Sequence, residues 1–129
     1  MTPMGREWVR KAENDRRTVL QLRKGRPMVH DSICFHCQQL VEKYLKALLH
    51  ETGRPVPKTH NCNDLVAWLL PFHPAVAALQ TQAAGLTRYA VQYRYPGFQA
   101  DAKMSLSAWS AADRIRAEIR RRLGLRPLP

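Results

Sequence analysis

Acidic residues are scarce in this chain. Ten carboxylates stand against 21 lysines and arginines, a formal charge of +11 with neutral histidines. The sequence pI is near 10.3. Such a balance favours a polyanionic partner: nucleic acid, a nucleotide or an acidic protein. Compositional bias in a proline- and arginine-rich genome would give the same surplus, and the polyanion reading takes precedence. Cysteine is also sparse. Cys34, Cys37 and Cys62 are odd in number and cannot all pair within one chain, which argues against a disulfide framework. No apolar run approaches the roughly 18 residues of a bilayer span, so no membrane contact is expected. The opening MTPMGREWVRKAENDRR is charged and lacks a signal peptide's apolar core. The expected location is the cytoplasm of a bacterium or archaeon.

Alternating strand patterns, internal repeats, low-complexity tracts and interdomain linkers are missing as well. At 129 residues with 45% hydrophobic content, the chain reads as one domain over residues 1–129. Helical spacing fills it instead. Trp8, Ala12, Val19 and Leu22 mark a helix from about Gly5 to Lys24, ended by Gly25 and Pro27. A second starts near Asp31 as N-cap and ends at Gly53, with Pro55 and Pro57 beyond. A short third, capped by Asn61 or Asn63, carries Leu65, Val66, Trp68, Leu69 and Leu70 up to Pro71. Pro74 opens a fourth that runs to about Tyr93. A fifth spans roughly Ala100 to Leu123 on a stripe of Ala108, Ala112, Ile115, Ile119 and Leu123, before Gly124 and the prolines Pro127 and Pro129. The expected fold is all-α, a four- to five-helix up-and-down antiparallel bundle.

The second helix carries the chemistry. At 100° per residue, Ile33, Cys37, Leu40, Val41, Tyr44, Ala47 and Leu48 share one side, with Cys34 at its margin. Ser32, His36, Gln39, Lys43, Lys46 and His50 gather on the opposite side. Such a stripe of cations and donors can meet phosphates; it also fits a solvated outer face or a dimer seam. Zinc is the weaker reading of Cys34, Cys37, His36, His60 and Cys62. The two helix cysteines point toward the core while His36 points away. The chain is therefore expected to hold no metal and no resident cofactor, beyond a nucleotide ligand.

The run CFHCQQLVEKYLKALLHETG, then VPKTHNCNDLVAWL, then YRYPGFQADA resembles the HEPN (higher eukaryote and prokaryote nucleotide-binding) family. Its pattern places Cys-Phe-His-Ala-Gln-Gln on a helix, followed by Lys-Thr-His and Arg-Tyr-Pro. Here those positions are Cys34 to Leu48, Lys58 to His60, and Arg94 to Pro96, with Cys37 in place of the usual alanine. The resemblance implies a four- or five-helix bundle, commonly a homodimer. It also implies binding of a nucleotide or RNA, and a minimal nucleotidyltransferase partner in a toxin–antitoxin-like two-gene module. With the polar stripe, this makes His36, Gln39, Lys43, Lys46, His60, Tyr93 and Arg94 the candidate ligand-binding residues.

The resemblance also covers many metal-independent ribonucleases, which carry an arginine followed by four to six residues and then a histidine. Histidine can deprotonate a ribose hydroxyl and arginine can stabilise the phosphorane. Arg54 with His60, and Arg23 with His30, fit that spacing across proline-containing loops, so an RNase toxin is the alternative function. A non-catalytic helical protein-interaction module is the second alternative. Tyr89 and Tyr93, interleaved with Arg88 and Arg94, can stack a base, or equally the tyrosines can pack against the bundle while Arg94 caps carbonyls at the fourth helix's end. The cluster Arg114, Arg116, Arg120, Arg121 and Arg122 reads as a solvated face.

Overall fold

The computed structural model describes residues 1–127 and is helical throughout, with no strand among the described residues. Pro129, expected to finish the last helix, lies outside the described residues. None of the described helices is long and apolar enough to cross a membrane.

Helix α1 spans Pro3–Lys24. Thr2 caps it, its Oγ1 accepting the Gly5 amide at 3.0 Å, and Pro3 occupies a position that needs no amide. A Cβ at Gly5 would meet the Glu51 carboxylate and push that flexible side chain aside from Thr2. Helix α2 spans His30–Glu51 and is the central element, packed against α1, α3 and α6. Asp31 does not cap it, contrary to expectation. It lies in the first turn, where its Oδ1 accepts the Ala100 amide at 2.6 Å. A buried amide ahead of the last helix needed an acceptor, and this carboxylate supplies it.

Helix α3 spans Cys62–Leu69 and is capped by Asn61, whose Oδ1 takes the Asp64 amide at 3.1 Å. The expected fourth helix is broken into a 3-10 turn at Pro74–Leu79, α4 at Gln80–Thr87 and α5 at Tyr89–Gln92. Of α4 only Ala83 and Leu86 are buried, too little apolar surface to hold one straight helix against the bundle. Helix α6, Ala102–Arg122, is capped by Asp101, which accepts the Met104 amide at 2.8 Å.

The all-α bundle expected from the sequence forms, with one long stroke in it. Helix α1 runs against α2: Thr2 Oγ1 donates to Glu51 at 2.7 Å at one end, and Asp15 meets His36 further along. Helix α6 runs with α2, since His30 meets Ser105 near their starts and Arg120 meets Tyr44 near their ends. Helix α3 also runs with α2, from Cys62 beside Gln38 to a cleft shared by Ala67, Trp68 and Leu49. The chain must therefore climb back from Glu51 to the level of Gln38, about 20 Å at 1.5 Å per residue. Residues 52–61 cover that distance, turning at Thr52 and Gly53 and then stiffened by Pro55 and Pro57, well within the roughly 33 Å that ten residues can reach. Ile33, Leu40, Val41, Tyr44 and Leu48 of α2 close the core with Ile115 and Ile119 of α6. Each large aliphatic side chain buried there is worth about 1.5–3 kcal/mol.

Candidate nucleotide-binding face

The polar stripe of α2 is neither a bare solvated face nor a free row of cations. Asp15 of α1 is buried and lies over it. His36 Nδ1 donates to Asp15 Oδ1 at 2.8 Å, and Lys43 Nζ donates to Oδ2 at 2.5 Å. Lys46, expected to face outward, is 6% exposed and donates to Glu42 at 3.0 Å, with its ammonium 5.5 Å from the Trp8 ring centre. An ammonium leaves water only beside an opposite charge, and the bundle supplies one at each position.

Glu42 anchors a second cluster. It accepts from Gln38 Nε2 at 3.0 Å, from Lys46, and from His60 Nδ1 at 3.1 Å. The same Gln38 amide reaches the His60 carbonyl at 2.9 Å, and Gln39 Nε2 donates to Gln38 Oε1 at 2.6 Å. His60 thus pins the end of the crossover to α2 through one ring nitrogen, while its side chain stays 71% exposed. Gln38 and Glu42 were not singled out from the sequence, though their four-residue spacings to each other and to Lys46 gave the signal. For Asp15 there was none: a lone aspartate on another helix has no spacing relation to α2.

The N-terminal half of α2 presents a different surface. Tyr93, at the end of α5, stacks on Phe35 with ring centres 4.6 Å apart and planes 22° from parallel. Its hydroxyl lies 3.2 Å from Ser32 Oγ, and His36 meets Phe35 edge-on at 5.1 Å. Arg94 follows, exposed, its side chain without a hydrogen bond or ion pair among the described residues. So of the seven residues implied to bind ligand, His36, Lys43 and Lys46 are engaged by buried carboxylates. His60 and Gln39 are half-engaged, while Tyr93 and Arg94 stand at an aromatic, cationic edge.

The two arginine–histidine pairs fare differently. Arg54 lies over the Phe72 ring at 5.6 Å, beyond the far end of α3, whereas His60 sits before its start. Eight residues of helix, about 12 Å, separate those ends. Arg23 and His30 do converge, lining a cavity of about 200 Å³ with Ser105, whose Oγ is 2.7 Å from His30 Nδ1.

This arrangement can be compared with known proteins. A family model described as the HEPN domain matches residues 6–122. The chain belongs to the HEPN domain family. Neither the curated proteins nor the solved structures give a match.

The motif residues of this HEPN domain divide by burial. Cys34, Cys37 and Cys62 are fully buried free thiols. Burial pushes the Cys34 thiol up to about 11 and raises the other two as well. They pack as small apolar groups. The late arginine cluster is not the uniform solvated face expected of it: Arg116 and Arg120 are buried while Arg121 is exposed. Arg116 binds Glu13 through Nε at 2.8 Å and Nη2 at 2.9 Å, and Arg120 Nη1 donates to the Tyr44 hydroxyl, which in turn donates to Glu13. Burial alone would raise the Glu13 carboxyl; the hydrogen bonds from Arg116 and Tyr44 and the nearby arginine charges outweigh it and hold the carboxyl below 4.5. Burial and the Glu13 contact push the Tyr44 phenol up to about 12.

Proposed function

We propose that this HEPN domain binds a nucleotide or RNA at the edge formed by Phe35, Tyr93 and Arg94, with His60 and Gln39 alongside. The Phe35–Tyr93 stack beside an uncommitted arginine carries this reading. A π-face with a guanidinium on the next residue suits a base and its phosphate, and among the described residues no carboxylate pairs with Arg94. The family resemblance extends the proposal to a homodimer that works with a minimal nucleotidyltransferase in a toxin–antitoxin-like two-gene module.

Fluorescence anisotropy with short single-stranded RNA, and calorimetry with ATP, test the binding claim. Arg94→Ala and Tyr93→Ala should each weaken binding by roughly tenfold. Lys46→Met should leave affinity within about twofold once its stability loss is allowed for. No binding at all, or binding indifferent to Arg94 and Tyr93, refutes the assignment. The metal-independent RNase reading is favoured by one observation, the shared cleft of Arg23, His30 and Ser105. Cleavage of RNA in EDTA that His30→Ala abolishes would establish it.

A further inference from the structure

Trp68 is 55% exposed and Phe72 42% exposed, one turn apart at the end of α3. Neither is needed to close the core. They flank a cleft of about 360 Å³ walled by Leu49, Ala67 and Pro71, and the Arg54 guanidinium lies 5.6 Å from the Phe72 ring centre. Large aromatics left in water beside a stacked arginine are the parts of a base-stacking platform.

The location makes the patch more than an isolated surface feature. Leu49, which floors the cleft, is fourteen residues after Phe35 on α2. At 100° and 1.5 Å per residue, the two positions differ by only about 40° around the helix and lie about 21 Å apart along it. The Trp68–Phe72 cleft and the Phe35–Tyr93 stack therefore sit on the same side of α2, near its two ends. The crossover 52–61 runs between them and places Arg54, Lys58 and His60, all exposed, along the line. Asp64, one turn before Trp68, is the carboxylate on this strip.

We infer that Trp68, Phe72 and Arg54 form a second base-stacking subsite, aligned with the Phe35–Tyr93 stack so that one single-stranded nucleic acid reaches both. This rests on the proposed function and narrows its ligand to a polymer. The span of about 21 Å corresponds to about six nucleotides at a stacked rise of about 3.4 Å each. Two linked weak sites then give a gain that appears only when the strand is long enough to bridge them.

A length series of oligouridylates from two to twelve nucleotides tests this, read by anisotropy and by tryptophan fluorescence at fixed salt. Affinity should step up at least about fivefold between roughly four and eight nucleotides, with quenching of Trp68 emission. Trp68→Ala should remove the step and the quenching while leaving the shortest strands unaffected. Trp68→Phe should keep the step, and Asp64→Asn should enlarge it. Short strands that bind through Tyr93 with no step, or a step that survives Trp68→Ala, overturn the second subsite and leave the first. No binding at any length overturns both. An emission change of Trp68 with an acidic peptide but with no oligonucleotide also overturns the subsite and marks the patch as a protein contact.

Discussion

Removing one charge from Asp15 should separate the structural and binding roles of the α2 stripe. Asp15→Asn keeps the shape of the side chain but leaves Lys43 and His36 facing a neutral amide. The Asp15 side chain is 9% exposed and that of Lys43 23%, so the pair lies between buried and surface limits. Breaking a fully buried pair costs about 3–5 kcal/mol, an exposed one about 0–1 kcal/mol. Lys43 can still turn its ammonium toward water, which places the expected loss at about 2–3 kcal/mol. For a chain of this size that lowers Tm by roughly 6–12 °C. Urea unfolding of wild type, Asp15→Asn, Lys43→Met and the double variant gives the coupling directly. It should exceed about 1.5 kcal/mol, well above the few tenths expected of independent sites. RNA affinity should rise in Asp15→Asn, because a cation is released to the surface. Additive single losses, or a loss under about 1 kcal/mol, would refute the claim that α1 holds the stripe in place.

Three further outcomes follow from the buried polar groups. The Glu13 carboxyl is held below its usual value in the folded state, so its contribution to stability is complete above about pH 4.5 and is lost as pH falls through the lower folded value. Glu13→Gln should lower the neutral plateau of a stability–pH curve and flatten its acid limb, so that the variant and wild type converge at low pH. Gln38→Ala removes the amide that ties the His60 carbonyl to Glu42, and should cost about 1–3 kcal/mol. Amide exchange should then speed up over residues 58–62 rather than across α2. The three thiols, all buried and with Cys34 raised to about 11, should resist Ellman's reagent at pH 8 until denaturant is added, then all three should react.

Where sequence and structure agree, the reason is local. Helix extents depend on side-chain spacing, caps and prolines, and Asn61, Pro71 and Gly53 act where they stand. Gly53, at φ 80°, takes the left-handed turn that ends α2. The family motif was legible as well, because it is a string of adjacent residues. The break in the fourth helix was not, since it depends on how little of α4 the bundle covers. The role of Asp31 was missed for a similar reason: its partner, Ala100, is 69 residues away.

The candidate face divides along the same line. Spacing alone put His36, Gln39, Lys43 and Lys46 on one side of α2. It left open whether that side met phosphate, solvent or another helix. Only the packing of α1, and the return of residues 52–61, brought Asp15 and His60 onto the stripe. Helical periodicity is set by backbone geometry within a few residues and so is written in the sequence. Which charge meets which carboxylate is set by the path of the whole chain. That path left Arg94 and Trp68 exposed at the surface and tied Lys43 and Lys46 into the fold.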